Sequence, residues 1–268
     1  MALEFYCKDP SLDGEVHFIE LEDTYVKKTL CYPRSECPDY YKRLSCLLGD
    51  GFIYLLETGS LILGSRFLGK GYSAVVVAAK NTRYGLGALK ILRCDSRRSS
   101  LLGEAEIMLR ARDSGLVPRL YIYRDFYIFQ ELLSPCSCKP LSLILEQLIM
   151  RNRVEEVKSV LTYTLRLLFK LDCMRVDHGE LNRPGGHLFY CNDGRVLAID
   201  WESARVVSKP VNLTSFISYL VFRFKHRDIL GKILNWRISD ILQSLKVYKS
   251  TYSDSEFNKI LSVLRLDK

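Results

Sequence analysis

Four short stretches of this chain place glycines or charges where phosphate chemistry can use them. In the first, Gly69-Lys70-Gly71-Tyr72-Ser73-Ala74, two glycines sit between β-like runs. Glycine lets a backbone approach phosphate oxygens closely, with its N–H groups turned toward the anion. A Gly-x-Gly at a hairpin is usually only a turn, and a dinucleotide site needs a helix after the glycines. Here the β-branched run Val75-Val76-Val77 follows, so the dinucleotide reading is disfavoured. In the second stretch, Lys90 interrupts the apolar Ala88-Leu89-Lys90-Ile91-Leu92. An unpaired buried ammonium is costly, so Lys90 is either an edge-strand lysine facing water or half of an ion pair. Glu104, further along, supplies a partner, and together the two can hold the ammonium toward nucleotide phosphates. The third and fourth stretches are Asp177-His178-Gly179-Glu180-Leu181 and Leu197-Ala198-Ile199-Asp200-Trp201-Glu202. Both offer carboxylates, which suit proton acceptance and hard-cation binding.

The elements that must position these residues follow from periodicity. Pro38-Asp39 begins a helix that Gly49-Asp50-Gly51 ends, and Phe52–Glu57 reads as a strand closed by Thr58-Gly59-Ser60. Residues 61–68, 74–80, 88–92, 119–123 and 126–132 read as further strands. Within 99–112, Leu101, Leu102, Ala105, Met108 and Leu109 recur at helical steps and predict one helix among them. Beyond Ser134 the character turns helical. Residues 141–150 form one candidate, and Val154, Val157, Leu161, Leu165 and Leu168 draw an apolar stripe over 154–172. Residues 176–187 are loop-like. Asn192-Asp193-Gly194 turns a hairpin between 187–191 and 195–199, and 211–268 is mostly helical. The expected organisation is α+β: a segment apart at 1–58, a small β-rich lobe with one helix at 59–133, and a mainly helical lobe at 134–268.

With these residues in this order, the chain resembles the protein-kinase-like superfamily. The resemblance runs from the glycine loop, where Ala74 stands at the third glycine, through Lys90 and the Glu104 helix to the last two stretches. Glu104 is in register and Glu106 is the alternative. It covers residues 61–202. The string His178-Gly179-Glu180-Leu181-Asn182-Arg183-Pro184 is similar to the H-G-E-L-x-R-P loop of a group of archaeal predicted Ser/Thr kinases. The H-G-[DE]-L form also resembles RIO and other atypical kinases, choline kinases and aminoglycoside phosphotransferases. The resemblance implies a two-lobed protein-kinase-like fold that takes ATP and Mg²⁺. It implies Gly69 and Gly71 over the phosphates, Lys90 on the α- and β-phosphates, and Glu104 bracing Lys90. It further implies the Glu131 carbonyl and Leu133 amide at adenine, Asp200 on the metal, and Glu180 orienting the acceptor hydroxyl. The acceptor it implies is a protein Ser or Thr.

Three features depart from that pattern. Glu180 stands where aspartate is usual, moving the carboxylate by one methylene. The usual magnesium-binding asparagine falls at Gly185, with Gly185-Gly186 as an insertion and His187 or Asn182 as substitutes. No A-P-E-like motif follows Asp200. A nucleotide-binding scaffold without catalysis and a small-molecule kinase are therefore competing expectations. His178 reads as a brace for the loop backbone. Glu202 is either a contact to a second metal or a capping residue, and Arg183 either binds substrate phosphate or pairs with an acid.

Composition is compatible with this. Of 268 residues, 48% are hydrophobic and 26% charged, ample for a core. The longest apolar runs, 72–79 and 216–222, fall short of the roughly 18–20 residues that span a bilayer. Met1-Ala2-Leu3-Glu4-Phe5 lacks the basic-then-apolar order of a secretion signal, so the cytoplasm is the expected compartment. A net charge of +8, with clusters at Arg97-Arg98 and 223–227, suits an anionic nucleotide and does not by itself mark a nucleic-acid protein. Nine cysteines, Cys7 and Cys31 to Cys191, lack a C-x-x-C pair. Small buried thiols are the expected reading, with a bridge in the first 50 residues open.

Overall fold

The computed structural model describes residues 13–20 and 23–267. Cys7 and the amino-terminal Met1-Ala2-Leu3-Glu4-Phe5 lie outside the described residues. The chain divides into two compact units, one formed by the sequence up to Glu106 with Pro118–Ser137, the other by Ile107–Val117 with Cys138–Lys268. It is a mixed α+β protein with a many-stranded antiparallel sheet.

The first unit holds β1 (Glu15–Phe18), α1 (Thr24–Leu30), α2 (Tyr40–Gly49), β2 (Phe52–Glu57), β3 (Ser60–Ile62), β4 (Ser65–Phe67), β5 (Gly69–Lys70), β6 (Ala74–Asn81) and β7 (Gly85–Leu92). Helix α3 (Leu102–Ala111) begins in it, and β8 (Leu120–Tyr123) and β9 (Tyr127–Gln130) complete it. The sheet runs β1-β2-β6-β7-β9-β8, with β5 also on β6. Strands β6 and β7 are apolar almost throughout because neither face is left to solvent. In α2, Tyr40, Arg43, Leu44 and Leu47 are buried at helical spacing. Tyr40, Leu44 and Leu47 join Val26 and Leu30 of α1 in a core with Leu55, Val75, Val77, Leu89, Ile91, Tyr127 and Phe129 of the sheet. Arg43 Nη1 donates to the carbonyls of Leu30 at 2.7 Å and Leu92 at 2.9 Å, tying α1 and α2 to the end of β7.

Two expectations change here. Residues 13–58 do not stand apart, because β2 pairs along β6 with Leu55 opposite Ala79 and Leu56 opposite Ala78. The stretch 61–68 is not one strand: Leu63 (φ 51°) and Gly64 (φ 80°) turn it into the β3–β4 hairpin.

The second unit holds β10 (Cys138–Pro140), α4 (Leu141–Met150), α5 (Val154–Cys173), β11 (Val176–Asp177), β12 (Leu188–Cys191), β13 (Val196–Ala198), β14 (Arg205–Val206), α6 (Asn212–Phe222), α7 (Arg227–Ile233), α8 (Ile238–Thr251) and α9 (Asp254–Val263). Strands β10, β12 and β13 form one small sheet, β11 and β14 another. The predicted stripe of α5 is buried at Val157, Leu161, Leu165 and Leu168. Among the described residues no helix is long and apolar enough to cross a membrane.

The cysteines also depart from expectation. Cys31–Cys37 and Cys138–Cys191 are disulfides, whereas Cys46, Cys94 and Cys173 are free. Cys31–Cys37 lies within the first 50 residues. Cys138 and Cys191 stand opposite each other on β10 and β12, a juxtaposition created only by strand pairing.

Candidate functional site

In the first unit the sheet lines up the predicted residues. Val76 of β6 faces Gly69 of β5 on one side and Lys90 of β7 on the other, and Lys90 in turn faces Ile128 of β9. Residues directly opposite on paired strands project to the same face. Two strand spacings of about 4.8 Å put the Gly69 backbone roughly 10 Å from that of Lys90 on one row. The loop between β5 and β6 is closed by Gly71 N–H donating to Ala74 O at 2.8 Å, and the Tyr72 side chain is exposed.

Lys90 is not an edge lysine. It lies in the interior of the sheet and its Nζ meets Glu104 Oε1 at 2.7 Å, with side chains 10% and 3% exposed. An ion pair this buried survives only when both charges are compensated; removing either partner costs roughly 3–5 kcal/mol. Glu104 sits in the first turn of α3, where the helix dipole favours a carboxylate. After β9 the chain leaves the sheet at Glu131, whose amide donates to Arg119 O at 2.8 Å and whose Oε2 accepts from Arg119 N at 3.1 Å. Leu133 follows in the same irregular stretch.

In the second unit the loop after β11 is built around two buried groups. His178 is fully buried: its backbone N–H donates to Asn212 Oδ1 at 2.9 Å, its Nε2 lies 3.2 Å from Ile199 O, and its ring packs edge-on to Trp201. It is a brace, as expected. Gly179 has φ 88°, and a Cβ there would come within 3.0 Å of Ser203 O and 3.1 Å of its Cβ, so this turn needs glycine. The close approach delivers Glu180 to Ser203, whose Oγ donates to Glu180 Oε1 at 2.9 Å. Asp200 caps the short 3₁₀ turn Trp201–Ser203 with left-handed backbone (φ 62°, ψ 69°), and its side chain is exposed. Trp201 anchors that turn by burying its ring and donating from Nε1 to Ala198 O at 2.8 Å. Glu180 and Asp200 thus belong to two segments joined through Ser203.

Of the two substitutes for the asparagine, Asn182 is exposed. His187 follows the turn Pro184–Gly186, and its carbonyl accepts from Ile199 N at 2.9 Å, next to Asp200 in sequence. Arg183 donates its backbone N–H to Glu180 O at 3.0 Å. Among the described residues, Glu180, Asp200 and Glu202 do not form a ready-made cluster of three metal ligands. Asp200 nonetheless fits magnesium, since it is an accessible hard-oxygen donor and Mg²⁺ is commonly held by one or two carboxylates with phosphates and water.

Beneath this loop lies a hub that sequence reasoning did not single out. Asp172, fully buried near the end of α5, accepts from Asn212 Nδ2 at 2.8 Å, Asn212 N at 3.1 Å, Leu213 N at 3.3 Å and Tyr248 Oη at 2.8 Å. Asn212 also donates to Val176 O at 2.6 Å. Burial pushes the Asp172 carboxyl up to about 6, against the pull of these hydrogen bonds, and raises the Tyr248 phenol so that it stays a donor. One signal was visible: Asp172 falls four residues after Leu168, on the apolar stripe itself. Asp177, also buried, pairs with Arg205 across β11–β14 at 3.1 Å.

No family model matches the chain, and a search of curated proteins found none similar to it.

Proposed function

We propose that this chain is an ATP- and Mg²⁺-dependent phosphotransferase with the two-lobed protein-kinase-like fold, of the atypical RIO-like kind, acting on Ser or Thr hydroxyls of a protein. The observation that carries the reading is the buried Lys90–Glu104 pair, set on the same sheet row as Gly69. An ammonium held in place by one carboxylate can make charge-assisted hydrogen bonds to a phosphate.

In this reading Lys90 steadies the α- and β-phosphates, and the backbone of Gly69 and Gly71 covers them. The Glu131 carbonyl and Leu133 amide meet the adenine edge. Asp200 would hold Mg²⁺, which would supply charge neutralisation to the phosphates. Glu180, oriented by Ser203, accepts a hydrogen bond from the acceptor hydroxyl and fixes its direction of attack. Most of the acceleration in such a site comes from positioning and charge complementarity.

A second reading, a nucleotide-binding scaffold without transfer, is favoured by Gly185 at the asparagine position and by Glu180 being engaged by Ser203. Incubation with γ-labelled ATP and Mg²⁺ separates the two. Transfer to protein, lost in Asp200→Ala, supports the kinase. Nucleotide binding with no turnover supports the scaffold, and transfer only to metabolites points to a small-molecule kinase. Turnover unchanged in Asp200→Ala refutes the phosphotransferase assignment.

A further inference from the structure

Strands β1 and β2 at the edge of the first unit's sheet carry a cluster that the phosphotransferase reading does not use. The register sets Glu15 directly opposite Glu57. Like charges directly opposite on paired strands repel, so this pairing calls for a cation. His17 lies two residues along β1, on the same face as Glu15. Its Nε2 is buried and makes no hydrogen bond, yet it stands 3.3 Å from Glu57 Oε2 and 4.0 Å from Glu15 Oε2. One ligand atom from each of the three residues lies within 4.8 Å of the other two.

The supports of these groups are already in place. His17 Nδ1 is 3.0 Å from Asp23 Oδ2, and the other Asp23 oxygen is held by Val26 N at 2.9 Å, at the start of α1. This carboxylate–imidazole contact fixes the ring with Nε2 toward the two glutamates, as outer-shell partners do for metal-bound histidine. Glu57 is held likewise: its Oε1 accepts from Arg66 N at 2.8 Å, leaving Oε2 to face His17. Tyr25 covers the ring, centroid to centroid 4.5 Å.

Ligands about 2.0–2.2 Å from a four-coordinate ion stand roughly 3.3–3.6 Å from one another. The Nε2–Glu57 separation already has that length, and Glu15, whose side chain is 77% exposed, needs only a small rotation to match. One imidazole and two carboxylates suit a divalent ion of the zinc or manganese type and leave open positions for water.

We propose that Glu15, His17 and Glu57 form a divalent transition-metal site, with Asp23 and the Arg66 amide as its outer shell. The inference does not rest on the phosphotransferase reading. The test is calorimetric titration of Zn²⁺ into the chelator-treated, full-length protein without nucleotide, repeated on Glu15→Gln, Glu57→Gln and Cys173→Ser. The proposal predicts a saturable site weakened about tenfold or more by each glutamate substitution and unaltered in Cys173→Ser. Glu15 is exposed, so Glu15→Gln keeps the metal-free circular dichroism spectrum and melting temperature, and its weaker binding then reports on ligation. Zn²⁺ binding indifferent to both glutamates, or no saturable binding up to millimolar Zn²⁺, overturns the site.

Discussion

Replacing Asp172 by asparagine tests whether the hub beneath the Glu180 loop is electrostatically what its geometry says. The carboxyl lies at about 6 in the folded protein because burial disfavours its charge, against about 3.9 in an unfolded chain. The folded state therefore holds this proton more tightly. The stability Asp172 contributes is full below about pH 4 and is lost as pH rises through about 6. A shift of about two pH units, each near 1.4 kcal/mol, makes that loss about 3 kcal/mol. Asparagine has no proton to lose, so the variant lacks the slope. It carries a pH-independent penalty of its own, because an amide N–H₂ must face one of the donors that Asp172 accepts, Tyr248 Oη and Leu213 N or the two of Asn212. The assay is urea unfolding of both proteins from pH 4 to pH 7.5. The stability difference, wild type minus Asp172→Asn, should fall by about 3 kcal/mol across that range. Parallel curves, within about 0.5 kcal/mol at every pH, would show that Asp172 holds no extra proton in the folded state.

Three further outcomes follow from the packing. Arg43→Met keeps the aliphatic stem but removes the guanidinium donor from the buried carbonyls of Leu92 and Leu30, leaving Leu30 O with the weak Cys94 Sγ contact at 3.8 Å; urea unfolding should show a loss of about 2–4 kcal/mol. Gly87→Ala drives a methyl into the Phe129 ring and to 2.8 Å from Gln130 O, so its melting temperature should drop by the equivalent of about 1–3 kcal/mol. The Cys138–Cys191 disulfide closes a separation of 53 residues, worth about 4 kcal/mol on loop entropy; Cys191→Ser should lower stability by up to that amount in urea unfolding.

Much of the local structure was legible in the sequence. Strand β2 and helix α4 occupy the predicted residues, and α5 runs one residue past its predicted end, because each carries its own apolar pattern and stop signals. The Lys90–Glu104 pair was also legible, since a lysine inside an apolar strand demands an acid within reach. What escaped was non-local or too short to show a period. Helix α1 has seven residues, and β1 is a strand only because β2 offers it a partner, so 1–58 looked like a segment apart. The Cys138–Cys191 bridge depends on a strand register that no spacing rule reveals. Ser203 and Asn212, which hold Glu180 and His178, are ordinary polar residues whose roles exist only once distant segments meet. Asp172 was the exception that could have been found, as a charge on an otherwise apolar stripe.

Calorimetric titration of ATP into the full-length protein reads the roles proposed for Lys90 and Asp200. Mg²⁺-dependent, saturable ATP binding to the wild type is expected. Lys90→Met should weaken it about tenfold or more, as expected when a charge-assisted hydrogen bond to phosphate is lost, and Asp200→Asn should abolish the magnesium dependence. ATP binding that is absent from the folded wild type, or equal in all three proteins with and without magnesium, would rule out the phosphotransferase reading.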